Sequence, residues 1–87
     1  MEDIFLKKLP TIDLHGYDTE TARVATNDFI DENLILKNKE ILIIHGKGAG
    51  LVKKAVHNTL SARKEVYKFY TDHFNDGCTI VLLSLDN

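Results

Sequence analysis

The sequence predicts an α/β protein, a two-layer sandwich in which two helices pack on one mixed four-stranded sheet in the order β-α-β-α-β-β. Three observations carry this expectation. Two short runs with strand character, Thr11–His15 and Glu40–His45, each stop at a glycine. The segment after each of them repeats apolar side chains at helical spacing. The chain then closes on two further strand-like runs separated by a short polar connection.

Residues 1–9 carry mixed charge and a few apolar side chains, and they are expected as a lead-in to a domain spanning 10–87. Pro10 breaks any helix and biases Leu9 toward an extended conformation. Thr11-Ile12-Asp13-Leu14-His15 alternates apolar and polar side chains before Gly16, as a short strand does. Asp18 or Thr19 then offers an N-cap, and Ala22, Ala25, Phe29, Ile30 and Asn33 or Leu34 form an apolar stripe over about Thr19–Ile35. Asn38 punctuates the chain. Glu40–His45 is almost unbroken in β-branched and aliphatic residues, so both of its faces are expected to be buried. Gly46-Lys47-Gly48-Ala49-Gly50 cannot continue regular structure, and Leu51, Val52, Ala55, Val56 and Leu60 predict a second helix to about Arg63. Val66–Tyr70 reads as a strand, Thr71–Gly77 as a connection and Cys78–Leu85 as the last strand. Helical crossovers argue that the first three strands pair in parallel, and the short final connection argues an antiparallel or edge pairing for the last two.

An 87-residue chain has room for one domain, and 44% hydrophobic with 28% charged residues is an ordinary globular composition. The net charge of −2 excludes a polycation, so a nucleic-acid partner would have to be held by a local patch. The single cysteine, Cys78, permits no internal disulfide, which fits a reducing compartment. No run approaches a membrane span, and the N-terminus is acidic before it is apolar, the wrong order for a signal peptide. The expected location is the cytoplasm, with no membrane partner.

The chemistry concentrates at strand ends. Asp13 and His15 lie two apart on one strand and so point to the same side. His45 ends the second strand and also precedes a glycine. With the two strands parallel, an acid and two imidazoles gather at the carboxyl ends, where α/β sheets bind ligands. Histidine takes or gives a proton near neutral pH, and an aspartate orients it. The bland alternative is that Asp13 caps its own turn and His15 is a polar rim residue. The loop Gly46–Gly50 leads from a strand into a helix N-terminus, and with Lys47, Lys53 and Lys54 it makes a phosphate cradle; otherwise it is a flexible connector. It matches neither a Walker A loop nor the dinucleotide fingerprint, so no nucleotide cofactor is expected. Two histidines and an aspartate suit a divalent ion, but their spacing assigns none, and the cofactor stays open. His57 reads as a helix-surface residue and His73 as a loop residue. Among Tyr17, Tyr67, Phe69, Tyr70 and Phe74, core packing is the usual role for a strand aromatic such as Phe69, and Tyr17 is the leading candidate to stack on a base.

These motifs resemble the Smr (small MutS-related) domain family. The matching residues are Ile12-Asp13-Leu14-His15-Gly16, Ile43-Ile44-His45-Gly46-Lys47-Gly48-Ala49-Gly50-Leu51, then Val56, Leu60 and Val66, with a glycine-small-threonine final strand in Gly77-Cys78-Thr79-Ile80-Val81-Leu82. The resemblance implies a sandwich similar to the C-terminal domain of bacterial translation initiation factor three, in a stand-alone small member or a domain of the MutS2 C-terminal type. It implies DNA nicking or RNA cleavage, in DNA repair or recombination or on stalled ribosomes. The site it implies has Asp13, His15 and His45 as catalytic residues and Gly16, Tyr17, Gly46, Lys47, Gly48, Gly50, Lys53 and Lys54 as phosphate or nucleic-acid contacts. In this chain Asn75-Asp76 precede a single Gly77, and Asp72 and Asp76 add negative charge there. Three readings follow: an endonuclease, a non-catalytic module for RNA or the ribosome, and a protein-interaction domain with vestigial motifs.

Overall fold

The computed structural model describes residues 8–85. Most of the expected lead-in, residues 1–7, lies outside the described residues. Within them the order is β1 (Thr11–Asp13), α1 (Thr19–Leu36), β2 (Glu40–Ile44), α2 (Leu51–Ser61), β3 (Val66–Thr71) and β4 (Cys78–Leu83), the predicted β-α-β-α-β-β sequence. The strands form one mixed sheet in the order β1-β2-β4-β3.

α1 starts where the sequence offered a cap, with the Asp18 carboxylate accepting the Thr21 amide at 2.7 Å. The helix ends at Lys37, whose φ of 63° is left-handed and whose amide returns to the carbonyls of Asn33 and Leu34. Its buried stripe contains two polar residues, Thr26 and Asn33. Thr26 donates to the Ala22 carbonyl and Asn33 to the Phe29 carbonyl, so neither is buried without a partner. Arg63 clasps the two helices at the far end from the strand carboxyl termini. It donates to Asn27 and Asp31 of α1 and to Glu65 at the approach to β3.

Burial along β2 alternates. Ile41 and Ile43 are fully buried with Leu14, Ile30, Val56, Leu60 and Val81, whereas Leu42 and Ile44 are half-buried. The expectation of two buried faces is therefore met on one face only, because a two-layer sandwich covers a single side of its sheet. Leu51, expected in the apolar stripe of α2, is 64% exposed at the first turn.

β1 and β2 are parallel, as expected. β3 runs the same way as β2 but does not pair with it. β4 lies antiparallel between them, bonded to β2 on one side and β3 on the other. The expected parallel pairing thus holds for the first two strands and fails for the third. β4, the most apolar strand with four of its six residues buried, takes the interior position, and the half-exposed β3 goes to the edge.

Candidate functional site

Register brings the two histidine-glycine corners together. Thr11 pairs with Leu42 and Asp13 with Ile44, so two residues further on His15 stands beside Gly46. The Leu14 amide donates to the Ile44 carbonyl at 2.6 Å and carries the parallel contact past the end of β1. Gly46 has a φ of +86°, and a Cβ built there would lie 3.2 Å from the His15 Cβ. Only glycine allows this approach. From the other side, the Gly77 carbonyl accepts the amides of both His45 and Gly46, at 2.8 and 3.0 Å.

A cleft of ≈ 420 Å³ opens at this corner, walled by His15, Gly16 and Tyr17 on one side and by the loop from His45 to Lys53 on the other. Of the residues expected to hold phosphate, Gly16, Tyr17, Gly46, Lys47, Gly48, Gly50 and Lys53 line it, and Lys54 does not. α2 enters the cleft with Gly50 as its N-cap at φ +87° and without a side-chain cap, so the first-turn amides of Leu51, Val52 and Lys53 are unclaimed by any side chain. Lys47 extends beside them, its Nζ 3.7 Å from Asp76.

The two imidazoles differ in what they can do. His15 is exposed, and its Nδ1 lies 2.6 Å from the Asp13 carboxylate, which also accepts the His15 amide at 3.1 Å. The His15 side-chain hydrogen bond, with the backbone one behind it, holds the Asp13 carboxyl below the ordinary carboxylate range. A carboxylate that stays ionised fixes the proton on Nδ1 and leaves Nε2 as an accessible lone pair.

His45 is only 4% exposed. Its Nδ1 faces the Gly46 carbonyl at 3.1 Å and its Nε2 faces the Thr79 hydroxyl at 2.7 Å. A carbonyl only accepts, so Nδ1 carries the proton and Nε2 accepts from Thr79. The Thr79 oxygen in turn accepts from His57 Nε2 at 2.8 Å. Both ring nitrogens of His45 are thus engaged, and it faces inward while His15 faces solvent.

His57 is accordingly no helix-surface residue. It is half-buried, packs its ring 4.9 Å from Phe69 and meets His45 edge-on at 5.8 Å. Burial is the main cause that lowers the pKa of both rings; for His57 the neighbouring His45 and Lys53 lower it further. A sequence signal was present: Lys53, His57 and Leu60 share a helical face at spacings of four and three residues, flanking the apolar stripe. Thr79 and Gly77 carried no signal beyond the final strand motif. Cys78 is buried, and burial with Asp72 and Asp13 nearby pushes its thiol up, which suits a packing residue better than a nucleophile. Among the described residues, no three His, Cys, Asp or Glu side chains gather as a metal site. No helix of the described residues is long and apolar enough to cross a membrane.

The Smr domain model matches residues 12–84. The chain belongs to the Smr domain family. It is 30% identical over 77 residues to endonuclease MutS2 of Clostridium perfringens, covering 85% of this chain and 10% of that protein. It is 36% identical over 66 residues to endonuclease MutS2 of Staphylococcus carnosus, covering 76% of this chain and 8% of that one. The chain thus spans about a tenth of the length of the curated relatives it matches. The fold superposes on the Smr domain of Thermus thermophilus MutS2 with a TM-score of 0.83 at 26% identity, covering 86% of this chain and 98% of that one. It superposes on YdaL, a stand-alone small MutS-related protein from Escherichia coli, with a TM-score of 0.81 at 25% identity, covering 97% of this chain and 77% of that one.

Two predictions follow from the corner geometry. Gly46→Ala should cost about 1–3 kcal/mol in urea unfolding, since it adds a left-handed alanine and a close contact with His15. Gly48→Ala, with open space around it, should change stability by less than about 0.5 kcal/mol. The buried imidazoles set the acid response. Their folded pKa values lie below the unfolded value near 6.5, so their contribution is complete above that pH and is lost as pH falls below it. Unfolding free energy measured by denaturant titration should therefore drop between about pH 7.5 and 5.5. His57→Gln should reduce that pH slope, because one of the two buried titrating groups is gone.

Proposed function

We propose that this domain binds nucleic acid in the cleft and cleaves a phosphodiester bond there, with His15 as general base. The observation that carries the reading is the Asp13–His15 pair, hydrogen-bonded at 2.6 Å, whose imidazole lines the cleft that receives the uncapped N-terminus of α2. A helix N-terminus favours an anion, and Lys47 and Lys53 add full positive charges. A phosphate seated against these amides lies across the cleft from His15 Nε2, which would take the proton from an attacking hydroxyl or water. The amides and lysines would stabilise charge that develops on the phosphoryl oxygens. The names of the MutS2 relatives support this reading.

His45 has no free nitrogen for proton transfer in this arrangement, so its role is to brace the loop. That also gives weight to the second reading, a binding module for RNA or the ribosome that does not cut: the cleft offers a base but no second imidazole to protonate a leaving oxygen. The setting we infer is the cytoplasm, where DNA, RNA and ribosomes are at hand.

Purified protein incubated with supercoiled plasmid and with labelled RNA, with and without chelator, tests the reading. Product should form, and His15→Ala and Asp13→Asn should slow it by roughly 100-fold or more while nucleic-acid retention persists. Cleavage at the wild-type rate by both variants would overturn the assignment. Retention without product would leave the binding module.

A further inference from the structure

We propose that Phe74 is a base-stacking platform beside the phosphate cradle, so that the ligand is a single-stranded stretch of nucleic acid with one unpaired base laid on this ring. The inference rests on the reading of the cleft as a nucleic-acid site.

Phe74 is 93% exposed, the most exposed large apolar side chain among the described residues. It sits in the β3–β4 turn, which abuts the cleft loop directly. The Gly77 carbonyl bonds the His45 and Gly46 amides, a Cβ built at Gly77 would lie 3.2 Å from the Lys47 side chain, and Asp76 pairs with Lys47. The turn is held in one shape. The Asp72 carboxylate accepts the Phe74 amide at 3.2 Å, Asn75 accepts the Gly77 amide at 3.0 Å, and the Cys78 amide closes on the Asn75 carbonyl at 3.1 Å. The ring is presented on an ordered support, with the His73 ring edge-on to it at 5.7 Å. An apolar ring carried on a turn whose backbone is already held adds little backbone ordering cost when a flat partner arrives.

Charge decides which part of the ligand meets it. Asp72 and Asp76 flank Phe74 in the turn, and carboxylates repel phosphate, so the sugar-phosphate backbone is disfavoured there. A base is neutral and has a π-face that any aromatic ring accepts. Paired bases in a duplex already spend both faces on their neighbours, so the ring selects an unpaired one. Tyr17, 42% exposed, is a second exposed ring and lines the cleft itself.

The test is anisotropy with a labelled short single strand and with a blunt duplex of the same sequence, at low salt and under chelator. The single strand should bind more tightly. Phe74→Ala should weaken it roughly 5- to 150-fold, the loss expected when a stacked base loses its ring, and should leave duplex affinity unchanged. Phe74→Trp should retain binding, and its fluorescence should be quenched by the single strand. An unchanged affinity in Phe74→Ala, or an equal loss for strand and duplex, would overturn the stacking proposal alone. Failure of the wild-type protein to bind either probe would overturn the nucleic-acid reading and this inference with it.

Discussion

The site depends on the close approach of Gly46 to the His15 Cβ. A two-strand parallel register sets it, and a residue without a Cβ permits it. A side chain at position 46 would be strained at its left-handed φ and would press His15 back by a few tenths of an ångström. The Gly77 carbonyl, just before β4, completes the constraint by taking two successive amides of the same loop. The cleft is thus the meeting point of three strand ends, each locked by backbone rather than by long side chains. Such a support suits chemistry that tolerates little displacement.

Behind this corner lies a polar chain that few sequence rules would forecast. His45, Thr79 and His57 form one hydrogen-bonded line from the loop into the interface between α2 and the sheet. Burial keeps both rings neutral near physiological pH, and the threonine hydroxyl, with one proton and a spare lone pair, sets a tautomer on each side. The arrangement separates labour between two histidines that look alike in sequence. One is solvated and paired with an ionised carboxylate; the other is buried and bonded at both nitrogens.

The sequence was legible where local physics decides. Alternation in Thr11–His15, the stripe of α1 and the glycine stops placed every element within a few residues, and the Asp18 cap is as expected. Parallel pairing of β1 and β2 followed from the crossover. The position of β4 between β2 and β3 was not legible, because it depends on which strand has the most apolar surface to hide, a comparison made across the whole chain. His57 was misread because its partners are 12 and 22 residues away: His45 just past β2, Phe69 on β3 and Thr79 on β4. Phe74 was grouped with the other aromatics because exposure is a property of the packed molecule, and sequence alone gave Tyr17 the better claim.

The electrostatics are compatible with the anionic ligand proposed for an acidic chain. The net charge is −2, yet Lys47, Lys53 and the α2 amides converge on one cleft, while Asp76 and Asp72 lie on the turn beside it. Any attraction for phosphate would be local and one-sided, which is compatible with the single strand proposed as ligand. The central claim is that both histidine-glycine corners form one anion-binding centre. Amide chemical-shift mapping during titration with inorganic phosphate tests it most directly. The account predicts that amides of residues 46–53 and of His15 to Tyr17 move together with a single dissociation constant. Shifts confined to one corner, or clustered around Arg63 at the opposite end of the helices, would contradict it.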